Sequence, residues 1–164
     1  MTKSATLDQQ LAHMAWANAG MFSVLATLPE AAYAYTAPGS EWSVGAITHH
    51  LVTAAENYAQ RLHGEPRAEK RGLPVTASDI QTLAAALAIA DAKLRAGAQL
   101  PGDEIITWIS YGGEEISVPR WVLVNQMVHH ATEHRAQIAG ALAANGNNSL
   151  DLDALDVWTF NDAL

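Results

Sequence analysis

The sequence predicts an all-α fold: a four-helix bundle with a small β-hairpin between helices 3 and 4, and a short helical segment at the C-terminal end. Four segments have apolar residues at three- and four-residue steps, as along one face of an α-helix. The segment between the third and fourth has β-rich runs around a Gly-Gly pair, which indicates a hairpin. Because the chain has no cysteine, burial between amphipathic helices has to stabilise the fold.

The first two helices are bounded by residues with known effects on helix ends. Helix 1 is predicted at about 5–28, and Pro29 stops it. Helix 2 is predicted at about 43–63. Ser43 suits its N-cap and Gly64 its C-terminal end, because serine accepts from free backbone N–H groups and glycine adopts the left-handed conformation.

The third helix and the hairpin follow from similar signals. Helix 3 is predicted at about 78–98, with Ser78 as its N-cap. The run "EIITWISYGGEEISV" then alternates in the manner of two short strands. Gly112 and Gly113 are expected to supply the positive φ angles that a tight turn needs.

The C-terminal third of the chain holds the fourth helix and a short tail. Helix 4 starts after Pro119 and ends near Asn145-Gly146. The segment "LDLDALDVWTF" is predicted to form one or two helical turns, packed back on the bundle by Trp158 and Phe160.

Composition restricts the class of protein. A chain of 164 residues fits a single domain over 1–164. The net charge of −8 disfavours nucleic acid as the partner, because phosphate binding takes clustered Lys and Arg. The absence of cysteine excludes disulfides, thiolate zinc sites and cysteine nucleophiles. No stretch has the length of a signal peptide core or a membrane span, so we expect a cytoplasmic protein without a membrane partner.

Helix 4 concentrates histidine in the run "VHHATEH". Because a helix turns by about 100° per residue, residues four apart nearly align. His130 and His134 therefore share the apolar stripe, whereas His129 and Glu133 share the polar stripe beside it. The apolar stripe consists of Leu123, Met127, His130, His134, Ile138 and Ala141.

Helix 2 separates its own His-His pair in the same way. His50 follows Ile47 by three residues and lies on the apolar stripe. His49 shares a polar face with Glu56 and Gln60. Three imidazoles, two from one helix and one from another, are thus predicted to face the interior.

Burying three imidazoles without partners is costly, and a divalent metal ion removes that cost. His50, His130 and His134 are therefore the candidate ligands, and three protein ligands with an open position are typical of a catalytic site. Two alternatives stay open. The histidines can be hydrogen-bonded core or surface residues, or His129 and Glu133 can form a His–carboxylate site, which ranks lower because its stripe is polar.

Several neighbours of the histidines carry further expectations. Asn18 interrupts the apolar stripe of helix 1 and either faces the pocket as an orienting group or hydrogen-bonds within the bundle. Glu133 and Arg135 are expected to form a surface salt bridge, and Tyr58 to belong to the core. Trp42 is expected near the mouth of the site.

These residues together resemble the DinB/YfiT-like superfamily. Its members share a Trp-Ser entry to helix 2, a His eight residues after that Trp, and a later His-x-x-x-His-Arg-x-Gln. The matching positions are Trp42, Ser43, His50, His130, His134, Arg135 and Gln137. The Trp-Ala-Asn of helix 1 and the Gly-Gly hairpin are also similar, so the likeness covers most of the chain. Ala136 departs from the pattern, where the family often has Gly.

The resemblance implies a four-helix bundle with a three-histidine divalent metal site, commonly in a homodimer. Known activities in that superfamily depend on a low-molecular-weight thiol such as bacillithiol, mycothiol or glutathione. The leading hypothesis is therefore a thiol-dependent S-transferase or hydrolase that acts on a small electrophile with Zn, Ni or Fe. The alternative is a non-catalytic, metal-stabilised dimer that serves as a stress or ligand-binding protein.

Overall fold

The computed structural model describes residues 5–66, 71–100 and 104–164. It confirms four long helices, a two-stranded hairpin before the last of them and a short C-terminal helix. The elements are α1 (Ala5–Leu25), α2 (Val44–His63), α3 (Ala77–Gly97), β1 (Ile105–Ile109), β2 (Glu115–Pro119), α4 (Arg120–Ala144) and α5 (Val157–Asp162).

The core lies between the four long helices. α3 packs against α1 and α2, while α4 packs against α2 and α1. Met21, Leu51, Leu87 and Ile138 bring one fully buried side chain from each helix, and removing such apolar surface from water is the main force that holds the bundle together. The contact between α2 and α4 is the one that positions the histidines. In the described part of the chain, no helix is long and apolar enough to span a membrane.

The caps of α2 are those predicted, but the N-cap of α3 is not. Ser43 accepts a hydrogen bond from the backbone at the start of α2, and Gly64 ends the helix in the left-handed conformation with φ 64°. The N-cap of α3 is Thr76 rather than Ser78. The Asp79 carboxylate accepts from the Thr76 backbone N–H while the Thr76 hydroxyl accepts from that of Asp79, so both groups are satisfied at once.

Helix 1 is shorter than predicted. α1 ends at Leu25, three residues before the predicted end at 28. Leu28 is still buried, because the chain continues through a turn that keeps the apolar side chain against the core. A short 3-10 helix, Glu30–Ala34, follows Pro29.

In the hairpin, β1 and β2 pair antiparallel, with Trp108 opposite Ile116. Gly113 has a positive φ of 84°, but Gly112 does not, so the expectation for Gly112 was wrong. One left-handed residue closes this turn because the Ser110 hydroxyl accepts from the backbone N–H of Gly112 and of Glu114. α4 begins directly after Pro119, as predicted.

The C-terminal segment packs on the bundle through Phe160 but not through Trp158. The Phe160 ring lies 5.4 Å from the Trp16 ring and 5.5 Å from the His13 ring, centroid to centroid. Trp158 is 81% exposed, so its predicted anchoring role was wrong. Residues two apart on a helix point to nearly opposite sides, so the short α5 can turn only one of the two rings inward.

Candidate metal site

The structure brings together the three histidines that the sequence predicted to face inward. His50 comes from α2, and His130 and His134 come from consecutive turns of α4. The Nε2 atom of His130 lies 3.1 Å from Nε2 of His50 and 3.0 Å from Nε2 of His134. One ring nitrogen from each residue lies within 4.8 Å of the other two.

The neighbouring histidines face elsewhere, as their stripes predicted. His49 contacts the backbone oxygen of Arg71 through Nε2 at 3.0 Å. His129 and Glu133 are exposed on the outer face of α4. His134 is only 8% exposed. The helical period therefore correctly predicts which histidine of each His-His pair faces the interior.

The cluster favours neutral imidazoles. Burial, followed by the nearby His134 and His50 rings, lowers the pKa of His130 to about 4. Burial also lowers the pKa of His50, followed by the effects of His134 and His49. A neutral ring keeps one nitrogen lone pair free to bind a cation, whereas a protonated ring has none.

Gln137 fixes the direction in which His134 presents its lone pair. The Nδ1–H group of His134 donates to the side-chain oxygen of Gln137 at 2.6 Å. In a neutral imidazole this leaves the lone pair on Nε2, the atom that points into the cluster. The sequence resemblance named Gln137 as the last position of the His-x-x-x-His-Arg-x-Gln motif. Its three-residue spacing from His134 was a second signal, since side chains three apart on a helix are neighbours.

The donor set fits a divalent transition metal. Two nitrogens bound to one zinc ion at about 2.1 Å lie about 3.0–3.4 Å apart, and Nε2 of His130 lies 3.1 and 3.0 Å from those of His50 and His134. Neutral imidazole binds Zn, Ni, Fe and Cu alike. These three side chains can therefore hold such an ion while leaving at least one coordination position for another molecule.

An open cavity of about 460 Å³ adjoins the cluster at His134. Trp42 forms one wall, and its ring centroid lies 4.9 Å from that of His50 and 6.3 Å from that of His134. This confirms the expected place of Trp42 near the mouth. The other lining residues are Ala37, Ser40, Ile47, Gln137 and Gly140.

Tyr58 borders the cluster on the side of His130. Its ring stands edge-on to the His130 ring, with 6.0 Å between the centroids. The side chain is partly buried and packs against the core. Tyr58 was expected in the core; it packs against the edge of the core rather than inside it, and it also contacts His130.

Arg135 is buried and does not form the expected surface salt bridge with Glu133. Its Nη1 donates to the Asn18 side-chain oxygen at 2.7 Å, and Asn18 Nδ2 donates to Asp91 Oδ2 at 3.0 Å. Asn18 thus connects α1, α3 and α4 within the bundle, which is the second of its two expected roles. Arg135 faces inward because one step of about 100° beyond His134 turns it toward α1. Asp91 was missed, although it lies four residues after Leu87 and so interrupts the apolar face of α3 as Asn18 interrupts that of α1.

Comparison with known proteins agrees with this architecture. The DinB family model matches residues 1–160. The chain belongs to the DinB family. No curated protein matches this DinB chain in sequence.

Proposed function

We propose that this DinB protein is a metal-dependent enzyme in which His50, His130 and His134 hold one divalent ion, Zn, Ni or Fe. The observation that carries the proposal is the convergence of three Nε2 atoms, two pairs of them 3.0–3.1 Å apart, beside an open cavity. A site that only stabilised the bundle would have no need of adjoining space, whereas a catalytic site needs room for its substrate.

The reaction proposed is the transfer of a low-molecular-weight thiol, or of water, to a small electrophile. A bound divalent cation would supply Lewis acidity, which lowers the pKa of a thiol or of water so that either can lose its proton at neutral pH. The chain has no cysteine, so the thiol has to come from a separate molecule. The resemblance to thiol-dependent DinB-like proteins supports that choice.

The protein's own groups position the reactants. Gln137 holds the His134 ring in place through Nδ1. Trp42 and Ile47 give the cavity apolar walls, against which the apolar part of an electrophile can pack. Ser40 and Gln137 supply the polar side chains of the lining.

Metal analysis of purified variants tests the ligand set. We expect about one divalent ion per chain in the wild type. His50→Ala and His130→Ala should lose it, whereas His49→Ala and His129→Ala, the matched neighbours on the outer faces, should retain it. Retention in the first two variants, or loss in the second two, would contradict the proposal.

Metal removal separates catalysis from structural metal binding. If chelation abolishes thiol–electrophile conjugation or ester hydrolysis while the melting temperature changes little, the protein is an enzyme. If the melting temperature collapses and a substrate panel shows no turnover, the non-catalytic alternative is correct. The predicted homodimer stays a prediction, which sedimentation of the same samples would check.

A further inference from the structure

The cavity of about 460 Å³ beside the histidine cluster has an uncharged lining. Its described lining residues include no Asp, Glu, Lys or Arg. Any part of a molecule that lies in this cavity, rather than on the ion, would leave water without gaining a partner of opposite charge if it were ionised, which is costly. The lining therefore favours an uncharged group. It consists of Ala37, Ser40, Trp42, Ile47, His134, Gln137 and Gly140.

Trp42 gives this cavity a flat aromatic surface next to the cluster. Its side chain is 44% exposed, and its ring is nearly parallel to the His134 ring, with 12° between the planes. The loop that carries Trp42 is closed by a β-bridge between Thr36 and Ser43 and tied to α4 by Asn145, whose Nδ2 donates to the Thr36 carbonyl at 2.9 Å. An aromatic face held in this way attracts a second ring through offset stacking, in addition to apolar burial.

Gly140 leaves part of the same cavity empty. It lies within α4 and lines the cavity. A Cβ atom at this position would meet nothing within 4 Å, and the residue does not have a positive φ. Neither steric crowding nor backbone conformation therefore requires glycine here, although glycine weakens the interior of a helix. A larger side chain would instead occupy space beside the cluster that a bound molecule can use.

Resting on the metal-dependent function, we propose that this cavity recognises an uncharged aryl group of the electrophile, and that Trp42 and Gly140 determine this specificity. The aryl ring stacks on Trp42, and Gly140 leaves room for it. His134 both lines the cavity and offers a ring nitrogen to the ion, so a ring in the cavity lies next to the metal site. The substrate class is a neutral aromatic electrophile, such as a benzylic halide or ester.

Binding to the metal-free protein in EDTA tests this recognition without turnover. Fluorine NMR titrations would use 4-fluorobenzyl alcohol as the neutral probe, with 4-fluorobenzoate and the 4-fluorobenzylammonium ion as its charged counterparts. The alcohol should bind at least about tenfold more tightly than either ion, because no charged side chain compensates them. Equal affinities would show an unselective apolar surface, and tighter binding of the ammonium ion would show that Trp42 takes a cation. Either result overturns the proposal.

Two pairs of variants locate the probe. Gly140→Leu should abolish binding by filling the cavity, whereas Ala143→Leu, exposed on the same helix outside the lining, should bind as the wild type does. Trp42→Phe should stay within about twofold of the wild type, whereas Trp42→Leu keeps apolar bulk without an aromatic face and should bind about two- to tenfold more weakly. Full binding in Gly140→Leu, or equal binding in the two Trp42 variants, would overturn the proposal. None of the three residues is a proposed ligand, so metal content should be unchanged.

Turnover separates this specificity from the metal-dependent function itself. With glutathione as the thiol, 4-nitrobenzyl chloride and iodoacetamide are an aryl and a small electrophile; in both, sulfur forms the C–S bond, the halide leaves and the thiol proton goes to solvent. Gly140→Leu should lower kcat/KM at least about tenfold for the aryl chloride and less than about twofold for iodoacetamide. Equal losses would overturn the aryl specificity alone. Absence of turnover in the wild type would contradict the metal-dependent function, and selective probe binding would then still support a cavity for neutral aryl groups.

Discussion

Gln137 and His134 form a preorganised pair on one face of α4. The amide oxygen of Gln137 accepts from the imidazole Nδ1–H at 2.6 Å, and three-residue spacing on a helix makes the two side chains neighbours. The contact is local to one helix, whereas the approach of His50 depends on the packing of α2 against α4. The orientation of His134 is therefore fixed before any metal ion binds.

Loss of this hydrogen bond should weaken metal binding. Gln137→Leu removes the acceptor but keeps a similar volume, so we expect metal affinity to fall by about 10–100-fold. Gln137→Glu keeps an acceptor oxygen at the same place and should retain affinity. Competition with a chromophoric chelator would measure both variants. Unchanged affinity in Gln137→Leu would show that His134 does not need this partner.

The inward histidines could be predicted because they depend on one regular quantity, the helical period. His50, His130 and His134 each lie on an apolar stripe that the sequence displays directly. Packing of helices with several such stripes leaves few ways to bury them. The fold class and the convergence of the three rings follow from that periodicity and are confirmed.

Other features depend on contacts between distant segments, which no local pattern displays. Arg135 is charged, and a charged residue beside a polar stripe is usually exposed. It is buried here because Asn18, far away in sequence and itself bonded to Asp91, accepts its hydrogen bond across the bundle. Trp158 was predicted inside because tryptophan usually packs, but the short α5 turns Phe160 inward instead.

The metal-free protein should lose stability as pH falls from about 6.5 to 4. The folded-state pKa of His130 is about 4 against an ordinary value of 6.5, so in that window the unfolded chain binds more protons than the native one. The pKa of His50 is also lowered in the folded state, so its protonation likewise reduces stability as pH falls. Asp91 opposes the two histidines. Its pKa is raised from 3.8 to about 6 in the folded state, so as pH falls the native protein takes up this proton before the unfolded chain does. Protonation of Asp91 therefore adds to the free energy of unfolding.

Asp91→Asn should therefore make the acid-induced loss of stability steeper, because the opposing contribution is removed. Urea unfolding in EDTA at pH 7 and pH 4.5 would compare this variant with the wild type. His129→Ala, on the exposed face of α4, is the control and should follow the wild type. A shallower pH dependence in Asp91→Asn would mean that the Asp91 carboxyl is not the group that opposes the histidines.

Gly45 is required where α2 starts close to two other segments. A Cβ atom at this position would lie 3.1 Å from the backbone oxygen of Tyr33 and 3.2 Å from that of Pro74. Backbone oxygens cannot swing aside as a flexible side chain does, so Gly45→Ala should cost about 1–3 kcal/mol. A Cβ at Gly140 in α4 meets nothing within 4 Å, so Gly140→Ala should stabilise by about 0.5–1 kcal/mol. Chemical denaturation measures both, and equal effects would contradict the steric argument.

The start of α3 offers a test of cap choice between two plausible residues. Ser78 with Gln81 three positions later fits the capping-box pattern in sequence as well as Thr76 with Asp79 does. The structure selects Thr76, whose hydroxyl accepts from the Asp79 N–H at 3.2 Å while the Asp79 carboxylate accepts from the backbone N–H of Val75 and of Thr76. Thr76→Ala should therefore cost about 1 kcal/mol of unfolding free energy. Ser78→Ala should change it by less than about 0.5 kcal/mol, because Ser78 is exposed inside the first turn. Urea unfolding of both variants decides, and a larger loss in Ser78→Ala would place the start of α3 two residues later.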